Sequence, residues 1–373
     1  MKNKIKLIRY ISILGFCTLL TISCNKDLLV PIPQTSVTDA TAFDTPERIL
    51  NQVRSMYQSL KNGNFYGGRY IVYGDIRGED FINETTNGVT GFDVWNLNPT
   101  GTSQNSVKNL WSQAYYTINL CNLFIDGMAA KGTGVVGTTL SNNYLGEARL
   151  IRALSYYSLL QLYARPFIDG AGNKPGLPLR LTGIKGSGYS DLARSTVAEV
   201  YTQILSDLNF SETNLPLTNG ASAELNTTRA HRNTAIALKT RVYLTMGNYA
   251  SVVTEANKIV AQSVAPFSAT SGVAHALQAN ITNIFGAAPI YNTTESIFSL
   301  PMTSTAGDFP GIQNQLGFYF VRNGASLGAA EYSLNVNGIL ANPSWTATDV
   351  RKTALVFTNG TTGKKYVSKY NAM

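Results

Sequence analysis

Charge is scarce in this chain of 373 residues: Asp, Glu, Lys and Arg together make up 14%, against roughly 25% in an ordinary globular domain. The hydrophobic fraction is 44%, enough for a core, so disorder, collagen and coiled coil are excluded. Cysteine is nearly absent, with Cys17, Cys24 and Cys121 forming no disulfide framework, so the fold must rest on packing alone. There are two histidines, His231 and His275, and their positions share no metal-ligand spacing; neither zinc nor any other cofactor is expected. The regular acid spacing of an EF-hand is missing, which leaves calcium open only through the loop acids Asp75, Glu79, Asp80 and Glu84, and no GxSxG, P-loop or dinucleotide fingerprint occurs. No apolar run reaches the ~20 residues of a membrane-spanning helix, which excludes a polytopic membrane protein.

What is present is uncharged polarity. The chain holds 32 Gly and 20 Tyr among many Asn, Thr and Ser, a surface suited to neutral, hydroxyl-rich ligands rather than phosphates. The formal net charge of +8 does not point to nucleic acid. Half of it lies in Lys2, Lys4, Lys6 and Arg9, and the rest is spread without a long basic run.

That basic head precedes the apolar stretch Ile11–Ile22, which has the length of a signal-peptide core. Thr21-Ile22-Ser23-Cys24 then admits two readings. One is an ordinary secretory signal with an incidental cysteine. The other is a lipoprotein signal, residues 1–23, cleaved before an acylated Cys24. The proline-punctuated segment after Cys24, within a tether over 24–44, favours the lipoprotein reading even though Thr21 stands where such signals usually carry Leu. Two acyl chains suffice for stable anchoring where one is marginal.

From residue 45 to 265 the pattern is helical. Asp44-Thr45-Pro46-Glu47 has the form of a helix start, Ile49, Leu50, Val53, Met56, Tyr57 and Leu60 repeat at three and four, and Asn62-Gly63 ends the run. Gly67–Gly101 reads as one long functional loop carrying Tyr70, Tyr73, Phe81, Phe92 and Trp95. Helices are predicted over about Ser106–Met128, with Trp111 on the core face and Cys121 buried and inert. A second spans Tyr144–Tyr163, apolar except for a stripe of Arg149, Arg152, Ser155, Ser158 and Gln161. Ser195-Thr-Val-Ala-Glu199 opens another with a capping box, ending near Phe210, and two more cover about Asn233–Thr245 and Tyr249–Ala261 around a Met246-Gly247-Asn248 turn. The fold class is therefore mainly α: tetratricopeptide-like helix pairs forming a right-handed solenoid. Residues 266–373 read as loops and short strands laid over that scaffold, with a strand at Glu295–Leu300.

In this order, several blocks resemble the SusD/RagB family of outer-membrane nutrient-binding lipoproteins from Bacteroidetes. They are Cys24-Asn-Lys-Asp-Leu-Leu with Pro31, Leu110-Trp through Cys121-Asn122, and Tyr144-Leu-Gly-Glu-Ala-Arg through Arg152-Ala-Leu-Ser-Tyr-Tyr157. Ala193-Arg-Ser-Thr through Leu208, with Leu215-Pro216, follows, then Leu238-Lys-Thr-Arg through Tyr249, and Glu295-Ser-Ile-Phe298. Tyr163-Ala164 departs from the family's usual Tyr-Gly. The chain also stops at Tyr370-Asn-Ala-Met373, about where the family continues into a last helix pair, so a truncated or short form is expected, with an uncovered apolar face if truncated. The resemblance implies a surface lipoprotein of the outer membrane that caps a SusC-like TonB-dependent transporter, binds oligosaccharide or peptide, and is not an enzyme.

Candidate ligand residues follow from chemistry. Aromatic faces stack on sugar rings, and amide or carboxylate groups satisfy hydroxyls. Trp95 beside Asn96 supplies both, and the resemblance places a ligand aromatic in this loop; equally, Trp95 could anchor the loop to the scaffold. Tyr319 and Trp345 are further candidates. Asp75, Glu79, Asp80 and Glu84 form the densest acid group, and Asp80 is taken as a hydroxyl-binding candidate. A surface glycoside hydrolase using those acids is the alternative, and it would need two carboxylates ~5 to 9.5 Å apart across a cleft. Arg149 and Arg152, beside Glu147, are expected to tie helices together.

Overall fold

The computed structural model describes residues 41–101, 103–186, 188–285, 291–305, 308–320 and 329–370. The signal segment, Cys24 and most of the tether lie outside these described residues.

Seven principal helices form the body: α1 (Pro46–Leu60), α2 (Arg69–Ile76), α3 (Asn109–Gly127), α4 (Thr138–Tyr163), α5 (Val197–Asn214), α6 (Arg232–Thr245) and α7 (Tyr249–Ala256). Their ends are chemically marked. The Thr45 hydroxyl accepts from Arg48 N at 3.3 Å, with Pro46 in the first turn of α1. Thr196 and Glu199 complete a reciprocal capping box on α5. Gly247, at φ +73°, turns the chain from α6 into α7, where Asn248 caps Ser251 N at 3.1 Å. Three helices differ in length from the sequence reading: α4 starts earlier, at Thr138, α5 runs on to Asn214, and α7 stops at Ala256.

The helices stack serially, α1 on α3, α3 on α4, α4 on α5, α5 on α6 and α6 on α7. Each therefore buries an apolar stripe against its neighbours, as in a helix-pair solenoid. Ile49 and Val53 from α1, Ile118 and Cys121 from α3, Ile151 from α4, Ile204 and Leu208 from α5 and Val242 from α6 share one core. Burial pushes the Cys121 thiol up, keeping it protonated and inert.

The polar stripe of α4 is structural, as expected. The Arg152 guanidinium forms a two-point bond to the fully buried Asp207 on α5 (2.8 and 2.7 Å) and donates to Asn122 Oδ1 on α3 at 2.7 Å. Glu147 accepts from the Tyr57 hydroxyl of α1 at 2.5 Å and from Arg229 Nε at 3.1 Å, while desolvation raises its pKa against the pull of Arg229. Lys239, on α6, pairs with Glu212 of α5 and, at 3.0 Å, with Glu255 of α7.

Two small antiparallel pairs complete the described structure. Strand β1 (Phe81–Asn83) joins β2 (Tyr332–Leu334) in the register Phe81 with Leu334, and β3 (Val356–Thr358) joins β4 (Lys365–Val367). A second core, built from Val72, Tyr73, Ile76, Val94, Leu110, Tyr319, Phe320 and Tyr332, fastens the first-half segment to the second half.

That core corrects the reading of Gly67–Gly101 as a single long loop. The segment contains α2, β1 and a one-turn helix, Phe92–Trp95. Val72, Tyr73 and Ile76 supply a helical stripe whose partners, Tyr319, Phe320 and Tyr332, are remote in sequence. The strand expected at Glu295–Leu300 is likewise absent. Ser299 N reaches Thr227 O at 2.9 Å, but no ladder forms along the segment, which runs as turns and bends.

Candidate functional site

Trp95 closes the one-turn helix that follows Gly91, a residue in the left-handed region at φ +90°. Its indole N–H donates to Phe81 O at 2.8 Å, and its ring stacks on Phe92 at 5.9 Å and 28°. One flank is buried against the second core, and the neighbouring Asn96 and Leu97 are exposed. The geometry thus provides the anchoring role weighed from sequence. A ligand here would meet the part of the ring left exposed and the Asn96 amide, not the indole N–H.

Tyr319 is fully buried, with its ring 6.3 Å from Tyr332 and nearly parallel at 20°. It therefore offers no surface to a ligand; what reads in sequence as a loop aromatic is a core residue shared with Trp95. Trp345 stands apart from this cluster. It is half-buried, and Lys352 places its ammonium 5.1 Å from the ring centroid while donating to the Trp345 carbonyl at 2.9 Å.

The acids are largely committed to the loop framework. Asp80 Oδ1 accepts from Ile339 N at 2.7 Å, and its carbonyl accepts from Asn335 N at 2.8 Å. Glu84 accepts from the Ser333 hydroxyl at 2.6 Å and pairs with Lys364. The exposed Glu79 contributes its carbonyl to Asn335 Nδ2 at 2.8 Å, and Asp75 lies in the last turn of α2. Two bonded carboxylates that tie β1 to the segment around β2 make a rigid rim.

His231 and His275 meet in space although nothing in their spacing suggests it. Their rings stack at 5.3 Å and 23°, with His231 fully buried. Desolvation, reinforced by the neighbouring His275, lowers the His231 pKa to about 4, so the ring is neutral at ordinary pH. Among the described residues no group of three or more His, Cys, Asp or Glu could hold a metal ion.

Sequence reasoning missed two concave sites. A cavity of about 390 Å³ is bordered by Trp111, Tyr115, Asn119 and Arg180. Trp111 packs against the main core, as its helical spacing suggests, edge-on to Tyr163 at 5.1 Å, but it is only half-buried and borders this cavity with the rest of its ring. A larger cleft of about 660 Å³ lies between α1, α3 and the segment 308–314. Its walls carry Gln113, Tyr116, Phe309 and Asn314. Gly63 sits at its floor, and a Cβ there would overlap the Asn314 amide and the Pro310 carbonyl, so the close approach of the two segments requires glycine. The one available sequence signal was the Asn-Gly-Asn run 62–64, which reads simply as a helix stop.

Stacked helix pairs with an irregular, aromatic- and amide-bearing face define a helical-repeat scaffold protein whose loops and clefts are open to ligands. Residues 31–244 match the SusD-like family described as starch-binding and associating with the outer membrane. The chain belongs to this SusD-like family. A SusD superfamily protein from Bacteroides fragilis is 30% identical, with 88% of this chain aligned to 70% of that one at a TM-score of 0.71. Another, from Bacteroides thetaiotaomicron, shares 22% identity over 88% of this chain and 70% of its own, with a TM-score of 0.73. A laminarin-binding SusD-like protein shares the fold at 17% identity and TM-score 0.64, over 87% of this chain and 72% of its own. No curated protein matches the chain. No helix among the described residues is long and apolar enough to cross a membrane.

Proposed function

We propose that this protein is a surface-exposed outer-membrane lipoprotein, acylated at Cys24, that binds a neutral oligosaccharide and delivers it to a SusC-like TonB-dependent transporter. The observation that carries the proposal is the family match over 31–244, whose description joins starch binding to the outer membrane. The composition agrees: a surface poor in charge and rich in amide, hydroxyl and aromatic groups suits sugar hydroxyls and C–H faces. Trp95 and Asn96 are the proposed contact residues, with the half-buried indole held by Phe81 next to an exposed amide. Asp80 shapes the rim through its bond to Ile339 N, and Trp345 is a secondary contact.

The protein acts by binding, not by turnover. Glu84 is bonded to Ser333 and Lys364, and Asp80 to Ile339, so both are engaged in the framework rather than held ready as an acid–base pair.

Isothermal titration with neutral glycans, laminarin and starch fragments among them, and with short peptides tests the ligand class, and product analysis of the same mixtures tests turnover. Reversible saccharide binding weakened by Trp95→Ala, with no product, is the expected result. Sustained hydrolysis abolished by Asp80→Ala would reverse the reading. Metabolic labelling with a palmitate analogue, lost in Cys24→Ala, tests the anchor, and co-purification with a TonB-dependent barrel tests the partner.

A further inference from the structure

We propose that the cleft between α1, α3 and segment 308–314 is a second ligand site, which takes a short stretch of neutral oligosaccharide. It shares no lining residue with the Trp95 surface, and the argument for it is its own chemistry.

Two aromatic rings reach it from separate elements and remain open: Tyr116 on α3 is 56% exposed and Phe309 is 40% exposed. Open rings offer flat apolar faces to the C–H side of a pyranose. Between them stand amides already held in place. Gln113 Nε2 donates to the Ser59 carbonyl and hydroxyl, both at 3.1 Å. Asn314 accepts from Arg69 Nε at 2.9 Å and donates to Pro310 O at 2.6 Å. Amides fixed before the ligand arrives lower the ordering cost of binding, and each keeps capacity for sugar hydroxyls. The Asn64 side chain makes no hydrogen bond to other described residues, and it lines the same cleft.

Charge selects the ligand class. The charged lining residues are Lys61 and Asp308, and they pair with each other. Desolvation opposes ionisation of Asp308, but its bonds to Lys61 and Thr303 prevail and hold the carboxyl below its usual range. The cleft therefore presents no uncompensated cation to a phosphate or uronate. Its volume of about 660 Å³ falls inside the ~300 to 1,000 Å³ of small-ligand sites.

The test is isothermal titration of the intact chain with maltotriose, cellotriose, laminaritriose and xylotriose, and with neutral tripeptides. Tyr116 is more than half exposed, so Tyr116→Ala leaves the core packed, and matched thermal melts verify this. At least one trisaccharide should bind saturably, keep its affinity in Trp95→Ala, and lose about tenfold or more in both Tyr116→Ala and Phe309→Ala. Asn64→Ala should cost about threefold on the same ligand. Trisaccharide binding abolished by Trp95→Ala and unmoved by the cleft variants overturns the second site and leaves the function proposed above standing. Binding of tripeptides in place of sugars, or no saturable binding by any trisaccharide, also overturns it.

Discussion

Arg69 and Asn314, remote in sequence, are joined by a 2.9 Å hydrogen bond from the guanidinium Nε to the amide oxygen. The same buried guanidinium donates to the Tyr73 hydroxyl at 3.0 Å and to the Asn105 carbonyl. One side chain thus connects the wall of the amide cleft to the second core, on which Trp95 rests.

Arg69→Met should therefore be felt at both places. It leaves buried acceptors unpaired, and a loss of about 2 to 3 kcal/mol in unfolding free energy is expected. Chemical denaturation measures the stability, and titration with a cleft-binding trisaccharide should show weakening that exceeds any change at the Trp95 surface.

Arg152 and Asp207 form the buried pair at the centre of the stack. Arg152→Met or Asp207→Asn alone should destabilise by about 3 to 5 kcal/mol, because each leaves an uncompensated buried group. The double substitution Arg152→Met with Asp207→Asn should cost less than the sum, with the coupling read from denaturation midpoints of all four proteins. Strict additivity would show that the pair does not act as a unit.

His231 contributes to the acid limb of stability, together with the stacked His275, whose pKa burial also lowers. His231 is neutral in the fold, with a pKa lowered from 6.5 to about 4, so the unfolded chain binds its proton more tightly. Stability from this group is intact above pH 6.5, declines as pH falls, and levels off near pH 4, a difference of about 3 kcal/mol. His231→Gln should reduce the slope of denaturation midpoints across that window, leaving the part that His275 carries; an unchanged slope would show that His231 titrates alike in both states.

Trp95 can be divided into its two roles. Trp95→Phe removes the N–H donated to Phe81 O but keeps an aromatic flank, so a stability loss of about 1 kcal/mol with saccharide affinity nearly retained is expected. Trp95→Ala should lose both. Equal loss of affinity in the two variants would mean that indole placement, not ring surface, governs binding.

The scaffold was legible because its signals are local. Thr45-Pro46, the Thr196–Glu199 box and Gly247 each mark a terminus through neighbours within a few residues. Arg152 was read correctly as a tie because a charge on an otherwise apolar helix requires a buried partner. The candidate ligand face was harder to read because its contacts are distant. Tyr319 sits among Gly and Asn in sequence, yet Tyr73 and Tyr332 enclose it. Tyr116 and Phe309 share a cleft only after 308–314 folds back over α1 and α3. His231 and His275 likewise meet through packing, not through spacing.

The pairing of β1 with β2 has a kinetic consequence. The helices contact neighbours along the chain and can consolidate as they emerge during synthesis. Strand β1 must wait for residues 332–334 before it has a partner. Closing so long a loop is slow compared with local helix packing. The surface that carries Trp95 should therefore be the last part of the molecule to mature, and slow refolding should show helical signal recovering ahead of tryptophan fluorescence.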